Sequence, residues 1–290
     1  MIASTDIDDI VNQYPGRIGL FVEYLETREV YENNSRGLFP TASVCKIPVM
    51  VELFRQVTSG QILLNDRYRI DDSISTHGTG ILKLMKKPVE MTLLDYCRLM
   101  ITVSDNMATD VLIGVLGIES INSTMEMFGL PNTRVNMTMG RWHYAMAGLQ
   151  NMPITPQNDI YLLEVSSDRS LDYNAISFQE SLENNVTTPR EIATLLKRMF
   201  NQELISNNAS RQMIAFLIGC EDRRMLPRYV PPEISVAHKI GSSSRIKIDV
   251  GLVLDPDKTA LVSAFALSDK HTTDGTETIA KLCRIALGYK

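Results

Sequence analysis

The sequence predicts an α+β protein, in which an antiparallel sheet is flanked by helices and takes strands from both ends of the chain. β-type runs stand near the start and again near the end, and apolar residues between them recur at helical spacing. The middle is therefore expected to form an inserted all-helical lobe. We predict one lobe from residues 1–42 and 187–290, a helical lobe from 43–186, and an active site in the cleft between them.

The N-terminal strands form the first element. Residues 17–25 and 28–32 are β-type runs around a polar segment, Glu26-Thr27-Arg28, which is typical of an antiparallel hairpin. From Ser43 onward, apolar residues recur three and four apart, which predicts helices. Within the helical block, residues 132–185 are poorly periodic and rich in polar residues, so we expect them to hold a long functional loop.

The chain returns to the sheet after a strong helix start. In Thr187-Thr-Pro-Arg-Glu191, a threonine cap is followed by proline at the first helical position and an early acidic residue. Three strand-like runs follow at residues 234–239, 246–254 and 260–267, and a closing helix is predicted from about Thr276.

Composition excludes several function classes. The 290 residues are 44% hydrophobic and 22% charged with a net charge of -5, which argues against a binder of nucleic acid or of anionic membranes. No apolar stretch is long enough to span a bilayer, and the N-terminus lacks signal-peptide regions. The chain as written is expected to be cytoplasmic, or periplasmic or secreted if a signal peptide has been removed. Four widely spaced cysteines predict reduced thiols rather than a zinc site.

One candidate nucleophile remains once other catalytic signatures are excluded, since G-x-S-x-G, H-E-x-x-H, Walker A and G-x-G-x-x-G are all missing. Ser43 and Lys46 are three residues apart, a helical spacing that brings an amine near a hydroxyl. A neutral lysine can take the serine proton. Taken alone, the spacing favours a helix cap and a surface lysine over a catalytic pair. Ser244 and Lys247 share the spacing, but they fall in a strand-like run where residues three apart face opposite sides.

Two further motifs favour a catalytic role for Ser43 and Lys46. Ser104-Asp-Asn106 lies in the helical block, and Lys239-Ile-Gly241 lies on a strand directly after His238. Each has a plain structural interpretation, a turn or helix cap for the first and an ordinary strand end for the second. Together with S-x-x-K, in this order, S-D-N and K-T-G form the signature of class A β-lactamases and penicillin-binding proteins.

By these motifs, the chain resembles the class A β-lactamase family, including its penicillin-interactive relatives, over nearly its whole length. Flanking segments extend the resemblance: Phe39-Pro-Thr-Ala before Ser43, His77-Gly-Thr-Gly-Ile-Leu before the S-D-N motif, and Thr187-Thr-Pro-Arg at the later helix. The resemblance implies a class A β-lactamase-like fold.

The resemblance also implies catalytic roles. Ser43 attacks the carbonyl, Lys46 activates it, Ser104 relays a proton to the leaving group, and Lys239 supports that relay electrostatically. The backbone N–H groups of Ser43 and Ser242 would form the oxyanion hole.

Substrate binding is implied for a second group of residues. Asn106 would hydrogen-bond the amide side chain of the substrate, and Ser243 and Arg245 would meet a substrate carboxylate next to Gly241. Ile240 stands where the family has a hydroxyl, so it donates no hydrogen bond to that carboxylate.

A larger departure concerns deacylation. Where the family places a water-activating glutamate after an arginine, this sequence has Arg141-Trp-His143. A neutral His143 is a possible deacylation base. It is equally interpreted as a packed aromatic neighbour of Trp142, and Glu164 is another candidate base. Cys97 matches half of a disulfide found in some relatives, but Met50 stands at the partner position, so a free thiol is expected.

The predicted function is a metal-independent serine hydrolase that opens β-lactam amides or esters through a Ser43 acyl-enzyme. No cofactor is required. Two alternatives stay open: a cytoplasmic esterase or peptidase-like hydrolase on the same scaffold, and a slowly deacylating penicillin-binding protein or sensor. The predicted partner is a small-molecule substrate, not nucleic acid or a membrane, and the oligomeric state is not predicted.

Overall fold

The computed structural model describes residues 2–72, 74, 78–167, 171–269 and 275–289. His77 of the predicted loop motif lies outside these residues. The chain divides into two compact units. The first comprises Met1–Cys45 and Val186–Lys290, and the second comprises Lys46–Asn185.

The strands in chain order are β1 (Gly16–Tyr24), β2 (Glu29–Asn33), β3 (Phe39–Pro40), β4 (Arg67–Ile70), β5 (Val89–Thr92), β6 (Val186–Thr187), β7 (Ser235–Ser242), β8 (Ile246–Asp255) and β9 (Lys258–Ser268). The helices are α1 (Ser4–Gln13), α2 (Lys46–Thr58), α3 (Leu93–Thr102), α4 (Asn106–Leu116), α5 (Ile118–Met127), α6 (Met139–Met146), α7 (Pro156–Ser167), α8 (Pro189–Phe200), α9 (Asn207–Ile218) and α10 (Thr276–Leu287). Among the described residues, no helix has the length and apolar character that a membrane crossing requires.

The first unit is built on a five-stranded antiparallel sheet with the order β2-β1-β9-β8-β7. Strands from both ends of the chain therefore meet at β1 and β9, as the sequence predicts. The predicted N-terminal hairpin is confirmed, since β1 pairs with β2 from Leu20 opposite Asn33 to Tyr24 opposite Glu29. Apolar side chains of α1, α10 and the sheet, such as Ile7, Leu20, Val262 and Leu282, form one core cluster.

The predicted helix start at the return to the first unit is confirmed in α8. The Thr188 side chain accepts a hydrogen bond from the Glu191 N–H at 3.0 Å, and Pro189 is the first helical residue. Because a cap and its helix are local in sequence, this element is predicted accurately. The sequence does not predict α1, which has no side-chain cap.

The second unit contains α2 to α7 and the small antiparallel pair of β4 and β5. The prediction of a long loop over residues 132–185 needs a correction, because α6 and α7 lie within this range. The start of α6 is fixed by caps rather than by apolar periodicity. The Thr138 hydroxyl accepts from the Arg141 N–H at 3.2 Å, and the Asp110 carboxylate accepts from the N–H groups of Met139 and Gly140.

Candidate active site

Ser43 lies in a 3₁₀ turn, Ala42–Cys45, that leads directly into α2. Every residue from Phe39 to Phe54 is buried except Ser43, which is partly exposed. Ala42 has a φ of 43°, a left-handed conformation that costs a non-glycine residue free energy. Strain of this kind persists where the surroundings over-determine the backbone. The turn therefore presents one accessible hydroxyl from an otherwise buried segment.

Gly241 of the K-I-G motif packs directly against this turn. A Cβ at Gly241 would lie 2.5 Å from the Thr41 carbonyl oxygen and 3.4 Å from the Ala42 Cβ. No larger residue fits there without a backbone shift. The motif glycine is thus required by the close approach of β7 to the Ser43 turn.

Lys239 is fully buried in β7, and its Nζ donates to the Ile240 carbonyl at 3.1 Å. Burial lowers the pKa of Lys239 below its ordinary value, and the negative charges of Cys220 and Asp249 oppose that shift. Ile240, at 8% exposure, belongs to the core cluster of the first unit. Its side chain contributes packing there, and no hydroxyl stands at this position.

The residues after β7 differ in exposure. Ser242 is exposed, whereas Ser243 and Arg245 are partly exposed. The Ser243 N–H donates to the Ile246 carbonyl at 2.8 Å, and the Arg245 Nε donates to the Ser268 carbonyl at 2.6 Å. These bonds hold the connection to β8 in a defined conformation beside Gly241.

Lys46 is the centre of a polar network in the second unit. Its Nζ donates to the Ser104 carbonyl at 2.8 Å, to the Ser104 Oγ at 3.0 Å and to the Asn106 Oδ1 at 2.7 Å. The side chain is fully buried, so the alternative interpretation of Lys46 as a surface lysine is wrong. The structure thus brings together the lysine of the S-x-x-K motif and both outer residues of the S-D-N motif.

The middle residue of S-D-N has a structural role. The Asp105 Oδ1 accepts from the Ala108 N–H at 3.0 Å, which caps α4, and its Oδ2 accepts from the N–H groups of Ile81 and Leu82 at 2.7 and 2.9 Å. Ser104, directly before it, has a φ of 56°. Asp105 therefore holds the loop at residues 79–82 against the motif and fixes the position of Ser104.

His143 lies in α6, and its ring is close to the side chain of Asn106, which belongs to this network. Its Nδ1 lies 2.7 Å from the Met139 carbonyl oxygen, and because a carbonyl only accepts, Nδ1 carries the proton. In the neutral ring, Nε2 is then the basic nitrogen. A Cβ on Gly78 would lie 2.9 Å from this Nε2 and 2.1 Å from the Asn106 Nδ2, so both nitrogens border the same point.

The structure also contains the contact expected if His143 were a packing residue. Its ring meets that of Trp142 edge to face, with centroids 5.2 Å apart and an angle of 78° between the planes. The position of His143 is therefore compatible both with a general base and with a packing residue. The other candidate base, Glu164, is exposed on α7.

Sequence reasoning missed two features near these residues. One is the left-handed backbone at Ala42 and Ser104, which depends on tertiary packing and leaves no sequence signal at a non-glycine residue. The other is the partner of His238, the fully buried Asp249, whose Oδ1 lies 2.9 Å from the His238 Nδ1. A signal for the second existed, because Asp249 is the one acidic residue in the apolar run from Ile246 to Leu254.

Comparison with known proteins places the chain among relatives of the same architecture. The model of the beta-lactamase enzyme family matches residues 3–289. A beta-lactamase from Sphaerobacter thermophilus is 24% identical with a TM-score of 0.80, covering 99% of this chain and 97% of that chain. A mutant of PBP-A in an acyl-enzyme complex with penicillin G is 23% identical with a TM-score of 0.76, covering 97% and 93%.

A class A beta-lactamase from Mycobacterium abscessus is 17% identical with a TM-score of 0.78, covering 98% of this chain and 97% of that chain. No curated protein matches the sequence. The structural likenesses show the fold, which is that of the class A beta-lactamases, and the family model spans nearly the whole sequence. The chain therefore belongs to the beta-lactamase enzyme family.

Proposed function

We propose that the protein is a serine hydrolase that opens β-lactam amides or ester carbonyls through an acyl-enzyme on Ser43. The observation that carries the proposal is the buried Lys46 amine, held within 3.0 Å of the Ser104 hydroxyl and the Asn106 amide oxygen. Burial of a lysine costs desolvation free energy, and buried ionisable groups of this kind cluster at functional sites. The proposed task of Lys46 is proton transfer during acylation.

In the proposed acylation step, the Ser43 oxygen attacks the carbonyl carbon while Lys46, in its neutral form, accepts the hydroxyl proton. The carbonyl oxygen becomes an oxyanion, which the backbone N–H groups of Ser43 and Ser242 stabilise. When the tetrahedral intermediate collapses, the C–N or C–O bond breaks and the Ser104 hydroxyl passes a proton to the leaving atom. The Lys239 ammonium favours the negative charge that develops during this relay.

The accessibility of Ser43 supports its role as nucleophile. A reacting hydroxyl must contact substrate, and Ser43 is the one partly exposed position in the otherwise buried segment from Phe39 to Phe54. The left-handed Ala42 supports the same role, because strained backbone clusters at catalytic positions.

Substrate binding is proposed for the residues that border these groups. The Asn106 Nδ2 donates to the acyl side chain of the substrate, since its Oδ1 already accepts from Lys46. Ser243 and Arg245 bind a carboxylate on the leaving side, next to the Gly241 backbone. With Ile240 in the place of a hydroxyl, that carboxylate is held by fewer donors, so substrates without it are also accepted.

For deacylation, we propose that the His143 Nε2 takes a proton from the water that attacks the acyl-enzyme. The hydrogen bond to Met139 supports this role, because it fixes the tautomer in which Nε2 is the basic nitrogen. The His143 Nε2 and the Asn106 Nδ2 both lie close to Gly78, so two polar groups that can bind water are near one another.

A second candidate function is a slowly deacylating penicillin-binding protein or sensor. The feature that favours it is His143, at the position where the resemblance to the family implies a glutamate. The two candidates share the acylation step and differ only in the lifetime of the acyl-enzyme.

The test mixes the protein with a penicillin and follows intact mass and β-lactam absorbance together. We expect a transient acyl adduct with turnover for the wild type, and an adduct that persists in both His143→Ala and His143→Gln. Glutamine can still donate to the Met139 carbonyl, so it separates the two interpretations of the residue. If His143→Gln turned over like the wild type, His143 would be a packing residue, and a stable adduct on the wild type would establish the second candidate function.

A further inference from the structure

One surface segment of the second unit is both apolar and basic. Its sequence is Ile-Leu-Lys-Leu-Met-Lys-Lys, and we call it the 81–87 segment. Leu82 is buried, whereas Ile81, Leu84 and Met85 are exposed. At 78%, Leu84 is the most exposed large apolar residue in the described part of the chain. Single exposed apolar residues are common on protein surfaces, but a cluster of them is typical of an interaction site.

Hydrogen bonds fix the conformation of this segment. The Asp105 Oδ2 accepts from the N–H groups of Ile81 and Leu82 at 2.7 and 2.9 Å. The Leu84 N–H donates to the Ile81 carbonyl at 2.9 Å. Residues Leu82–Leu84 form a 3₁₀ turn. Because side chains three positions apart lie on the same side of such a turn, Ile81 and Leu84 project together into solvent, and the backbone imposes their exposure.

Three lysines place positive charge among these apolar side chains. Lys83 and Lys86 are exposed, and Lys87 is partly exposed. The Lys83 Nζ donates to the Gly78 carbonyl. The Lys87 Nζ donates to the Ile74 carbonyl at 2.6 Å. Because carbonyl groups are neutral, these bonds hold two ammonium groups in place and supply no counter-charge.

Acidic residues near the segment offset little of this charge. No acidic residue stands between Asp72 and Glu90, and Glu90 is paired with Arg67 at 2.8 Å. The Asp105 carboxylate is buried and accepts from backbone N–H groups. The segment is therefore locally basic in a chain with a net charge of -5. Exposed charges farther apart than about 8 Å are largely screened at physiological ionic strength, so the local charge decides what this surface attracts.

We propose that the 81–87 segment is a docking surface for an anionic lipid bilayer. The three exposed apolar side chains enter the boundary between head groups and acyl chains, with Leu84 deepest, and the three lysines bind lipid phosphates. This contact holds the protein at the bilayer surface without a spanning helix. It is independent of the proposed acyl transfer.

The mixture of side chains favours a bilayer over a soluble polyanion. A soluble polyanion attracts the lysines but gives Leu84 no apolar environment, whereas an anionic bilayer offers both negative charge and an apolar layer. The exposed apolar residues of α7, such as Leu163 at 62%, provide a contrast, because α7 contains no lysine or arginine. We therefore expect the bilayer to bind the 81–87 segment and not α7.

The first test measures co-sedimentation of the full-length protein with lipid vesicles. We expect binding to vesicles of equal parts phosphatidylcholine and phosphatidylglycerol, weakened by added salt, and much weaker binding to phosphatidylcholine alone. Lys86→Gln should weaken binding about fivefold, and Leu84→Ser about tenfold or more, since the first loses an attraction to lipid phosphate and the second loses apolar burial. The matched controls should bind as the wild type does: Lys281→Gln, which changes an exposed lysine of α10, and Leu163→Ser.

Three outcomes of this test would overturn the proposal. The first is equal binding to both kinds of vesicle, or binding to neither. The second is an equal loss of binding in the segment variants and in their controls. The third is binding to a soluble polyanion such as heparin without binding to the phosphatidylglycerol vesicles, which would identify an acidic partner in place of a bilayer.

The second test locates the contact by fluorescence. Leu84→Trp places an indole at the expected point of deepest insertion, and the single native tryptophan, Trp142, is 2% exposed and adds a constant background. We expect the emission of Leu84→Trp to shift to shorter wavelength when phosphatidylglycerol vesicles are added, and the emission of Leu163→Trp to stay unchanged. An unshifted Leu84→Trp on vesicles that bind the protein, or a shift in Leu163→Trp alone, would contradict docking through this segment.

Discussion

At the residue scale, the Lys46 amine meets three acceptors, the carbonyl and hydroxyl oxygens of Ser104 and the Asn106 amide oxygen. Three acceptors match the three N–H groups of an ammonium. To act as the base in acylation, Lys46 must first lose one of these protons. These three oxygens fix the position of the nitrogen beside Ser104 and Asn106.

This environment predicts how Lys46 variants behave. Lys46→Ala should slow acylation by penicillin about 10²- to 10⁴-fold, because it removes the base. Lys46→Arg retains charge and donors but does not give up its proton at neutral pH, so it should be nearly as slow. The measurement is the rate of adduct formation in single-turnover mass spectrometry. An arginine variant within a few-fold of the wild type would show that Lys46 acts by charge alone.

At the scale of secondary structure elements, a helix start can be predicted from sequence when the residues that stabilise it are close together in the chain. The start of α8 rests on Thr188 and Pro189, which are neighbours in sequence, and it is predicted from them. The start of α6 depends on the carboxylate of Asp110, about thirty positions away, and the sequence does not reveal that contact. In the same way, the three motifs can be found by spacing, whereas the contact of Lys46 with Ser104 requires the folded second unit.

The loop at residues 79–82 and the start of α4 depend on one carboxylate. Asp105→Ala removes a cap worth about 1 kcal/mol and leaves the N–H groups of Ile81 and Leu82 without their acceptor, at about 1 kcal/mol or more. We expect a loss of about 2 kcal/mol or more in the free energy of unfolding, measured in urea. Asp105→Asn keeps one acceptor oxygen and should lose less. Equal losses in both variants would show that the charge, not the hydrogen bonds, matters.

At the scale of the whole molecule, the fold class follows from the pattern along the chain. β-type runs at both ends predict the joining of N- and C-terminal strands, and β1 pairs with β9 over the whole length of β1. What the pattern does not predict is which polar residues become buried. Glu52 lies in an apolar helix and is fully buried, with Arg55, Gln56, Ser120 and Thr124 as partners.

Glu52 makes global stability depend on pH. Burial raises the pKa of Glu52, but hydrogen bonds from Arg55 and Thr124 lower it by a larger amount. The pKa therefore lies below the ordinary value of 4.5. A carboxyl group whose pKa is lower in the folded state stabilises the fold when it is ionised. This stabilisation is fully present above pH 4.5 and is lost as the pH falls through the pKa of the folded state. Glu52→Gln should therefore cost about 1 to 3 kcal/mol of unfolding free energy at pH 7 and less at pH 3.

The matched control for this prediction is Glu90→Gln. Glu90 pairs with Arg67 on the surface, where both side chains are about half exposed, and such pairs contribute little. Unfolding free energies in urea at pH 3 and pH 7 provide the comparison. A Glu52→Gln cost that did not change between the two pH values would contradict the assigned shift.

The proposed mechanism requires that Ser43 carries the acyl group, and peptide mapping of the adduct tests this requirement. After brief reaction with a penicillin and acid quenching, the protein is digested and the modified peptide is sequenced by mass spectrometry. We predict an adduct on Ser43 and no adduct in Ser43→Ala. An adduct on another residue, such as Ser244 with its equally spaced Lys247, or labelling that persists in Ser43→Ala, would contradict the account.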